Sequence, residues 1–205
     1  MSPGRRRISR ALGKLPYRKL YVIAAEGEKT ERQYFDLFKH LFKDEQPLIV
    51  VKCLPGGCKS APSQVLKRME RFLRQEKLRS SDEAWLVTDK DRWDDEKLAQ
   101  LHQWAQKCRG SRGFALSNPK FEYWLLLHFE NGKGVASASD CINRLSRHLP
   151  DYDKGISRSR FTKERIRDAI RRAKERDKPP CEDWPKSVGT TVYRLVESLL
   201  RDLVA

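Results

Sequence analysis

The chain has 205 residues and a mass of 24.0 kDa, which suits one α/β domain with helical additions. Its hydrophobic fraction is only 39%, but five Trp, eight Phe and six Tyr supply large side chains for a core, which excludes wholesale disorder. No apolar run approaches the roughly 20 residues that a membrane-spanning helix needs, so we expect a soluble protein. The five cysteines form no CxxC pair and no secretory segment is recognisable, so we expect reduced thiols and a cytoplasmic location.

The formal net charge of +15 is concentrated in two segments. Residues 1–19 hold seven basic and no acidic groups, and residues 154–178 hold eleven basic groups against four acidic ones. Two basic segments beside a nearly neutral body favour binding of a polyanion through phosphate contacts, with a solvated tail and an exposed helix as the alternative. The predicted nucleic-acid-binding residues are Arg5, Arg6, Arg7, Arg10, Arg158, Arg160, Lys163, Arg167, Arg171 and Arg172.

Strand and helix patterns alternate along the first two thirds of the chain. Residues 1–19 are predicted to form a flexible basic arm, because Gly4, Gly13 and Pro16 interrupt any helix. Short apolar runs then predict strands at 20–25, 48–53, 84–88 and 113–117. Segments of helical periodicity predict the helices that follow them, at 28–43, 62–75, 94–108 and 120–129. Beyond residue 130 the pattern becomes helical, at 139–148, 162–177 and 190–203.

This alternation predicts an α/β fold with a four-stranded, mostly parallel, Rossmann-like sheet flanked by helices. We expect residues 20–130 to form that domain and residues 131–205 to form a helical extension packed on it. In such a sheet, ligands bind beyond the carboxyl ends of the strands. The residues that follow the predicted strands are therefore the candidates for a functional site.

Acidic side chains follow several of these strands. Glu26 and Glu28 come after the first strand, Asp89 and Asp91 after the third, and Glu122 lies one helical turn beyond the fourth. Carboxylates that converge on one edge of a sheet repel one another unless a cation neutralises them. Mg²⁺ prefers such hard oxygen ligands and completes its shell with water and phosphate. The alternative is that each acid only caps a helix or charges its first turn, a role also open to Glu31.

Three stretches of the sequence combine these acids with specific neighbours: Val22-Ile-Ala-Ala-Glu-Gly-Glu-Lys-Thr-Glu31, Val87-Thr-Asp-Lys-Asp-Arg92 and Ser117-Asn-Pro-Lys-Phe-Glu-Tyr-Trp124 with the residues up to Phe129. These stretches resemble the RloB family, whose members carry a Toprim-like domain. The Gly189-Thr-Thr-Val-Tyr-Arg-Leu-Val196 stretch is similar too, so the likeness covers about residues 20–203. The resemblance implies a Toprim-like sheet and phosphodiester chemistry that depends on Mg²⁺ or Mn²⁺.

The resemblance also implies roles for individual residues. Glu26, Asp89, Asp91 and Glu122 are the predicted catalytic and metal-binding residues. The residues themselves indicate four supporting residues: Glu28 and Asn118, which follow predicted strands, and Lys29 and Lys120, which would balance the charge of a phosphate. The metal ions would orient a phosphate and lower the pKa of an attacking water or ribose hydroxyl, and Glu26 would bind metal or act as a general acid or base. His128, on an apolar helix, is interpreted as a core histidine.

The sequence therefore predicts an Mg²⁺-dependent endonuclease, with RNA favoured slightly over DNA. The resemblance to the RloB family implies a role in prokaryotic defence and an ATPase partner. A rival of a different class is a non-catalytic nucleic-acid-binding or regulatory module that docks the ATPase. Nucleotidyl transfer, as in primases, is a third reading. All three place a polyanion against the basic segments.

Overall fold

The structure is a computed structural model, and it describes residues 19–42, 49–56, 61–91, 93–150, 152–153 and 155–204. This part of the chain contains five strands: β1 (Lys19–Ala25), β2 (Ile49–Cys53), β3 (Glu83–Asp89), β4 (Arg112–Asn118) and β5 (Gly189–Thr190). It also contains seven α-helices: α1 (Thr30–Leu41), α2 (Pro62–Gln75), α3 (Asp95–Gln106), α4 (Phe121–Leu126), α5 (Ala138–His148), α6 (Lys163–Arg176) and α7 (Val192–Val204). The predicted basic arm, with Arg5, Arg6, Arg7 and Arg10, lies outside the described residues.

The strands form one sheet in the order β2-β1-β3-β4-β5. The first four are parallel, as predicted, because each is followed by a helix that returns the chain to the same end of the sheet. The prediction of four strands is corrected by β5, which pairs antiparallel with β4. The segment after residue 130 is therefore not purely helical, since it contributes this edge strand.

Alternation of side chains along β1 builds two apolar layers. Tyr21, Ile23 and Ala25 face a large core that includes α1 and α4–α7. Leu20, Val22 and Ala24 face a smaller core formed with α2 and α3. Helices thus cover both faces of the sheet, which explains why its strands are nearly continuous apolar runs.

His128 belongs to the larger core, in agreement with its interpretation from the sequence. It is 2% exposed, its Nδ1 lies 3.0 Å from the carbonyl oxygen of Trp124, and its Nε2 lies 3.1 Å from the hydroxyl of Tyr34. Burial lowers its pKa to about 3, so the ring is neutral at physiological pH. It is a packing residue.

None of the helices in the described part of the chain combines the length and the apolar composition that a membrane crossing needs.

Candidate functional site

The carboxyl ends of β1 and β3 lie side by side and bring Glu26 and Asp89 together. The backbone N–H of Glu26 donates to Val87 O at 2.9 Å, which extends the pairing of the two strands by one residue. The Glu26 side chain then reaches across, and its Oε2 accepts from the backbone N–H of Asp89 at 3.2 Å. Its Oε1 accepts from Nε1 of Trp93 at 3.0 Å. Two residues 63 positions apart in sequence thus share one edge of the sheet.

Asp89 lies at the centre of a group of carboxylates. Its Oδ1 accepts from the backbone N–H of Phe121 at 2.8 Å, which ties the end of β3 to the start of α4. Burial raises the pKa of Asp89 well above its usual range, and the charges of Glu31, Glu122 and Glu26 raise it further. The group of Glu26, Glu31, Asp89 and Glu122 is called the acidic cluster below.

Glu31 was not among the predicted catalytic residues, yet it belongs to this cluster. It is 5% exposed, and its Oε1 accepts from the backbone N–H of Gly27 at 3.0 Å. A Cβ at Gly27 would lie 2.1 Å from Oε2 of Glu31, so a larger residue there would displace the Glu31 carboxylate. The sequence position, in the first turn of a helix, is typical of a capping acid, and this role concealed the proximity to Asp89.

Glu122 reaches the cluster from α4, where it is 3% exposed. Its Oε1 accepts from the hydroxyl of Tyr152 at 3.0 Å. Tyr152 lies in the connection between α5 and α6, so a residue outside the predicted Toprim-like region contributes to the site. No local signal in the sequence distinguishes this tyrosine.

Asp91 lies further out than the sequence predicted. Regular alternation would place it on the same side as Asp89, but β3 ends at Asp89 and Asp91 has a φ of 30°. Its side chain is exposed, with Oδ2 4.0 Å from Nζ of Lys120. Its charge still acts on Glu26 and is among the causes that raise the pKa of that carboxyl.

Three of the predicted supporting residues contact groups outside the acidic cluster. Lys29 precedes α1, and its Nζ donates to the carbonyl oxygen of Asp153 at 3.2 Å. Asn118 ends β4 and donates through Nδ2 to Pro185 O at 3.1 Å. Glu28 is exposed and lies against Gly56, where a Cβ would be 2.5 Å from its Cγ.

Arg68 is a cation at this edge that the sequence did not single out. It lies on α2, and its guanidinium donates to the carbonyl oxygens of Ala25, the last residue of β1, and Pro55. Burial lowers its pKa, whereas the nearby charges of Glu28 and Glu26 act in the opposite direction. The arginine therefore fixes the end of β1 immediately before Glu26.

The predicted nucleic-acid-binding residues on the C-terminal segment differ in their exposure and in their contacts with the rest of the protein. Arg158, Arg160, Arg167 and Arg171 are exposed, although Arg171 forms ion pairs with Asp168 and Glu175 within α6. Lys163 lies over the ring of Phe42 at 4.9 Å. Arg172 is partly buried and donates to Leu127 O at 2.7 Å, a contact that fixes α6 to the end of α4.

This geometry defines an α/β protein with a mixed, mostly parallel sheet and an acidic cluster beyond the carboxyl ends of its parallel strands. The family model for RloB-like proteins matches residues 21–199, so the chain belongs to the RloB-like protein family. A search of curated proteins and a search of solved structures find no significant match.

Proposed function

We propose that the chain is a divalent-cation-dependent nuclease that cleaves phosphodiester bonds at the acidic cluster. The observation that supports this most directly is the contact between Glu26 and Asp89 at the ends of β1 and β3, with Glu31 and Glu122 near enough for their charges to raise the pKa of Asp89. Several partly desolvated carboxylates at one edge of a sheet destabilise the fold when ionised. A bound cation offsets that cost, which is the arrangement expected of a metal-dependent site.

The donors suit Mg²⁺ or Mn²⁺ in chemistry and charge. Among the described residues, no group of three or more His, Cys, Asp or Glu side chains is arranged to hold a metal ion by itself. Mg²⁺ in phosphoryl-transfer sites commonly takes one or two protein carboxylates and completes its shell with water and phosphate oxygens. Asp89 would be such a carboxylate, and the charges of Glu31 and Glu122 would add to the attraction for the cation. Glu26 would stay beside the cation as a group that can be protonated.

A bound divalent cation supplies charge for the phosphate and a lower pKa for its attacking water. The chain itself supplies a proton carrier, because burial raises the pKa of Glu26 to about 7. A carboxyl group that is half protonated near neutral pH can both accept and return a proton, as general acid–base catalysis requires. Trp93, which donates to Glu26, holds that carboxyl in place.

A non-catalytic binding module is the second candidate, and the hydrogen bonds of the acids favour it. Glu31 bonds to the backbone N–H of Gly27 and Asp89 to that of Phe121, which are structural uses of a carboxylate. These bonds leave acceptor capacity on each carboxylate, since an ionised carboxylate offers about four acceptor positions. Structural and catalytic use are therefore compatible at this site.

The test is cleavage by the purified chain of total RNA, plasmid DNA and single-stranded DNA, each with Mg²⁺, Mn²⁺ or EDTA. We expect cleavage only with a divalent cation, and a loss of about 100-fold or more in Asp89→Asn and Glu26→Gln with binding retained. Glu96→Gln, which removes an exposed acid from the first turn of α3, is the matched control. Equal cleavage by Asp89→Asn and the control would identify the activity as a contaminant and favour the binding module.

The wider role rests on the family resemblance. The preference for RNA over DNA, the function in defence against phage, the ATPase partner and the cytoplasmic location stay predictions. The same three substrates distinguish RNA from DNA cleavage. Adding nucleoside triphosphates to the reaction distinguishes nucleotidyl transfer, which would give longer products, from hydrolysis.

A further inference from the structure

Described residues of the connection between α5 and α6 bond to Glu122 of the acidic cluster and to residues at the start of α1. The hydroxyl of Tyr152 donates to Oε1 of Glu122 at 3.0 Å. The carbonyl oxygen of Asp153 accepts from Nζ of Lys29 at 3.2 Å, and the backbone N–H of Ile156 donates to Oε1 of Gln33 at 2.9 Å. Lys29 precedes α1 and Gln33 lies in its first turns, so the connection packs along the same helix that carries Glu31.

Tyr152 is the member of this connection that touches the cluster itself. Its hydroxyl bonds to Glu122 and to the side chain of Thr30, and the charge of Glu31 acts on it as well. Burial raises the pKa of Tyr152 above its usual range, and the charge of Glu122 raises it further. The phenol thus stays protonated, and toward Glu122 it can only donate.

Glu122 needs such a donor because of its position. It is 3% exposed in a helix whose neighbouring residues, Phe121 and Tyr123, are buried in the larger core. A carboxylate in this environment is oriented by the hydrogen bonds that it accepts. The bond from Tyr152 fixes one of its oxygens while its charge acts on Asp89.

We propose that Tyr152 is a positioning residue of the acidic cluster, whose hydroxyl orients the Glu122 carboxylate relative to Asp89. The inference rests on the proposed metal-dependent function. Residues that hold metal-binding or metal-facing carboxylates from behind commonly affect metal affinity by 10- to 100-fold. The cluster is then completed by a segment that follows α5 and lies far in sequence from Glu26, Glu31 and Asp89.

The test is the Mn²⁺ concentration that half-saturates the site, which is its Kd, fitted from the dependence of Tm on Mn²⁺ concentration at one pH by thermal shift, beside the metal-free Tm. In Tyr152→Phe we expect this concentration to rise about tenfold. Tyr193→Phe is the matched control. Tyr193, in α7, also donates to a carboxylate, that of Asp177 at 2.8 Å, but this bond joins α7 to the end of α6. This variant should lower the metal-free Tm and leave the Mn²⁺ concentration unchanged.

A double-mutant cycle separates positioning from simple structural support. In a Glu122→Gln background, Tyr152→Phe should have no further effect on the half-saturating Mn²⁺ concentration, because the residue acts through Glu122. An equal Mn²⁺ response in Tyr152→Phe and Tyr193→Phe, or an undiminished effect in the Glu122→Gln background, would overturn the inference. A wild-type protein with no response to Mn²⁺ and no cleavage would instead overturn the proposed function on which it rests.

Discussion

The Glu26 carboxyl changes charge in the neutral range, because burial raises its pKa from an ordinary value of 4.5 to about 7. The folded state therefore holds this proton more tightly than the unfolded chain does. The stabilisation is complete below the unfolded pKa and is lost as the pH rises through about 7. Glu26 thus links the stability of the metal-free protein to pH.

We predict that in EDTA the free energy of unfolding of the wild type falls by about 1 kcal/mol more than that of Glu26→Gln between pH 6 and pH 8. The comparison uses slopes, because the amide of glutamine cannot accept from both Trp93 and the backbone of Asp89 in the way that the carboxylate does. Urea unfolding at several pH values measures it, with Glu96→Gln as the control. Parallel slopes for the wild type and Glu26→Gln would contradict the prediction.

At Asp89, the stability of the metal-free fold and the cleavage activity are expected to change in opposite directions when the carboxylate is removed. Burial and three neighbouring carboxylates raise its pKa, so ionisation of Asp89 in the absence of a cation destabilises the fold. In Asp89→Asn the amide oxygen keeps the bond from the Phe121 N–H, and the amide N–H₂ can donate to the remaining acids.

We therefore predict that Asp89→Asn stabilises the metal-free protein at pH 8 by about 1 kcal/mol, or about 2–4 °C in Tm. The same variant should lose cleavage and most of the rise in Tm on adding Mn²⁺. Differential scanning calorimetry with and without Mn²⁺ measures both effects. A lower metal-free Tm would mean that the hydrogen bonds of Asp89 outweigh the repulsion among the acids.

At the scale of elements, α7 is joined to the opposite end of the sheet by a buried polar network. The hydroxyl of Tyr21, in β1, bonds to Ser198 and Asp202 of α7. Lys19 pairs with Asp202 and with Glu83 of β3, and Ser198 also donates to Glu83. The C-terminal helix is thus fixed to two central strands by hydrogen bonds as well as by apolar packing.

Tyr21→Phe removes this hydroxyl and leaves its buried acceptors short of a donor, so we predict a loss of about 1–3 kcal/mol in the free energy of unfolding. Cleavage per folded molecule should be unchanged, because Tyr21 lies at the start of β1 and Glu26 beyond its end. Urea unfolding and a cleavage assay at a temperature well below Tm test the two statements. A large fall in cleavage with unchanged stability would contradict this assignment.

The elements themselves were predictable where the periodicity was strong. The helix at 62–75 was predicted with the bounds that α2 has, and the helix predicted at 162–177 is α6 with one flanking residue at each end. The two-residue strand β5 was missed, because Gly189 and Thr190 carry no periodic signal and pair only through a long-range contact with β4.

For the candidate site, the edge of the sheet at which its acids meet was predictable from the sequence. The order of strands and acids was enough to place Glu26 beside Asp89, because parallel strands end at the same edge. After β3 the chain turns Asp91 outward. This path depends on the hydrogen bond from the backbone N–H of Asp91 to Pro119 O. The approach of Tyr152 depends on tertiary packing across 30 residues, for which the sequence has no local pattern.

For the whole molecule, the net charge of +15 is the basis for predicting a polyanionic substrate. The structure divides the basic residues of the C-terminal segment into exposed ones, such as Arg158 and Arg167, and Arg172, which is engaged with Leu127 O. Exposed arginines contribute to binding by releasing counterions from phosphates, whereas an engaged one contributes to folding. Removing or reversing the charge of an exposed arginine should therefore change nucleic-acid binding, whereas the same change at Arg172 should change stability.

We predict that Arg158→Ala and Arg167→Ala each weaken binding of RNA at low salt and lower the slope of log K against log salt concentration by about one. Their Tm should be unchanged, because both side chains are exposed. Arg172→Ala should lower Tm, because it removes the hydrogen bond between α6 and the end of α4. Fluorescence anisotropy with a labelled RNA across a salt series, beside thermal unfolding, measures both properties. An unchanged salt slope in both Arg158→Ala and Arg167→Ala would mean that the nucleic acid does not contact these two arginines.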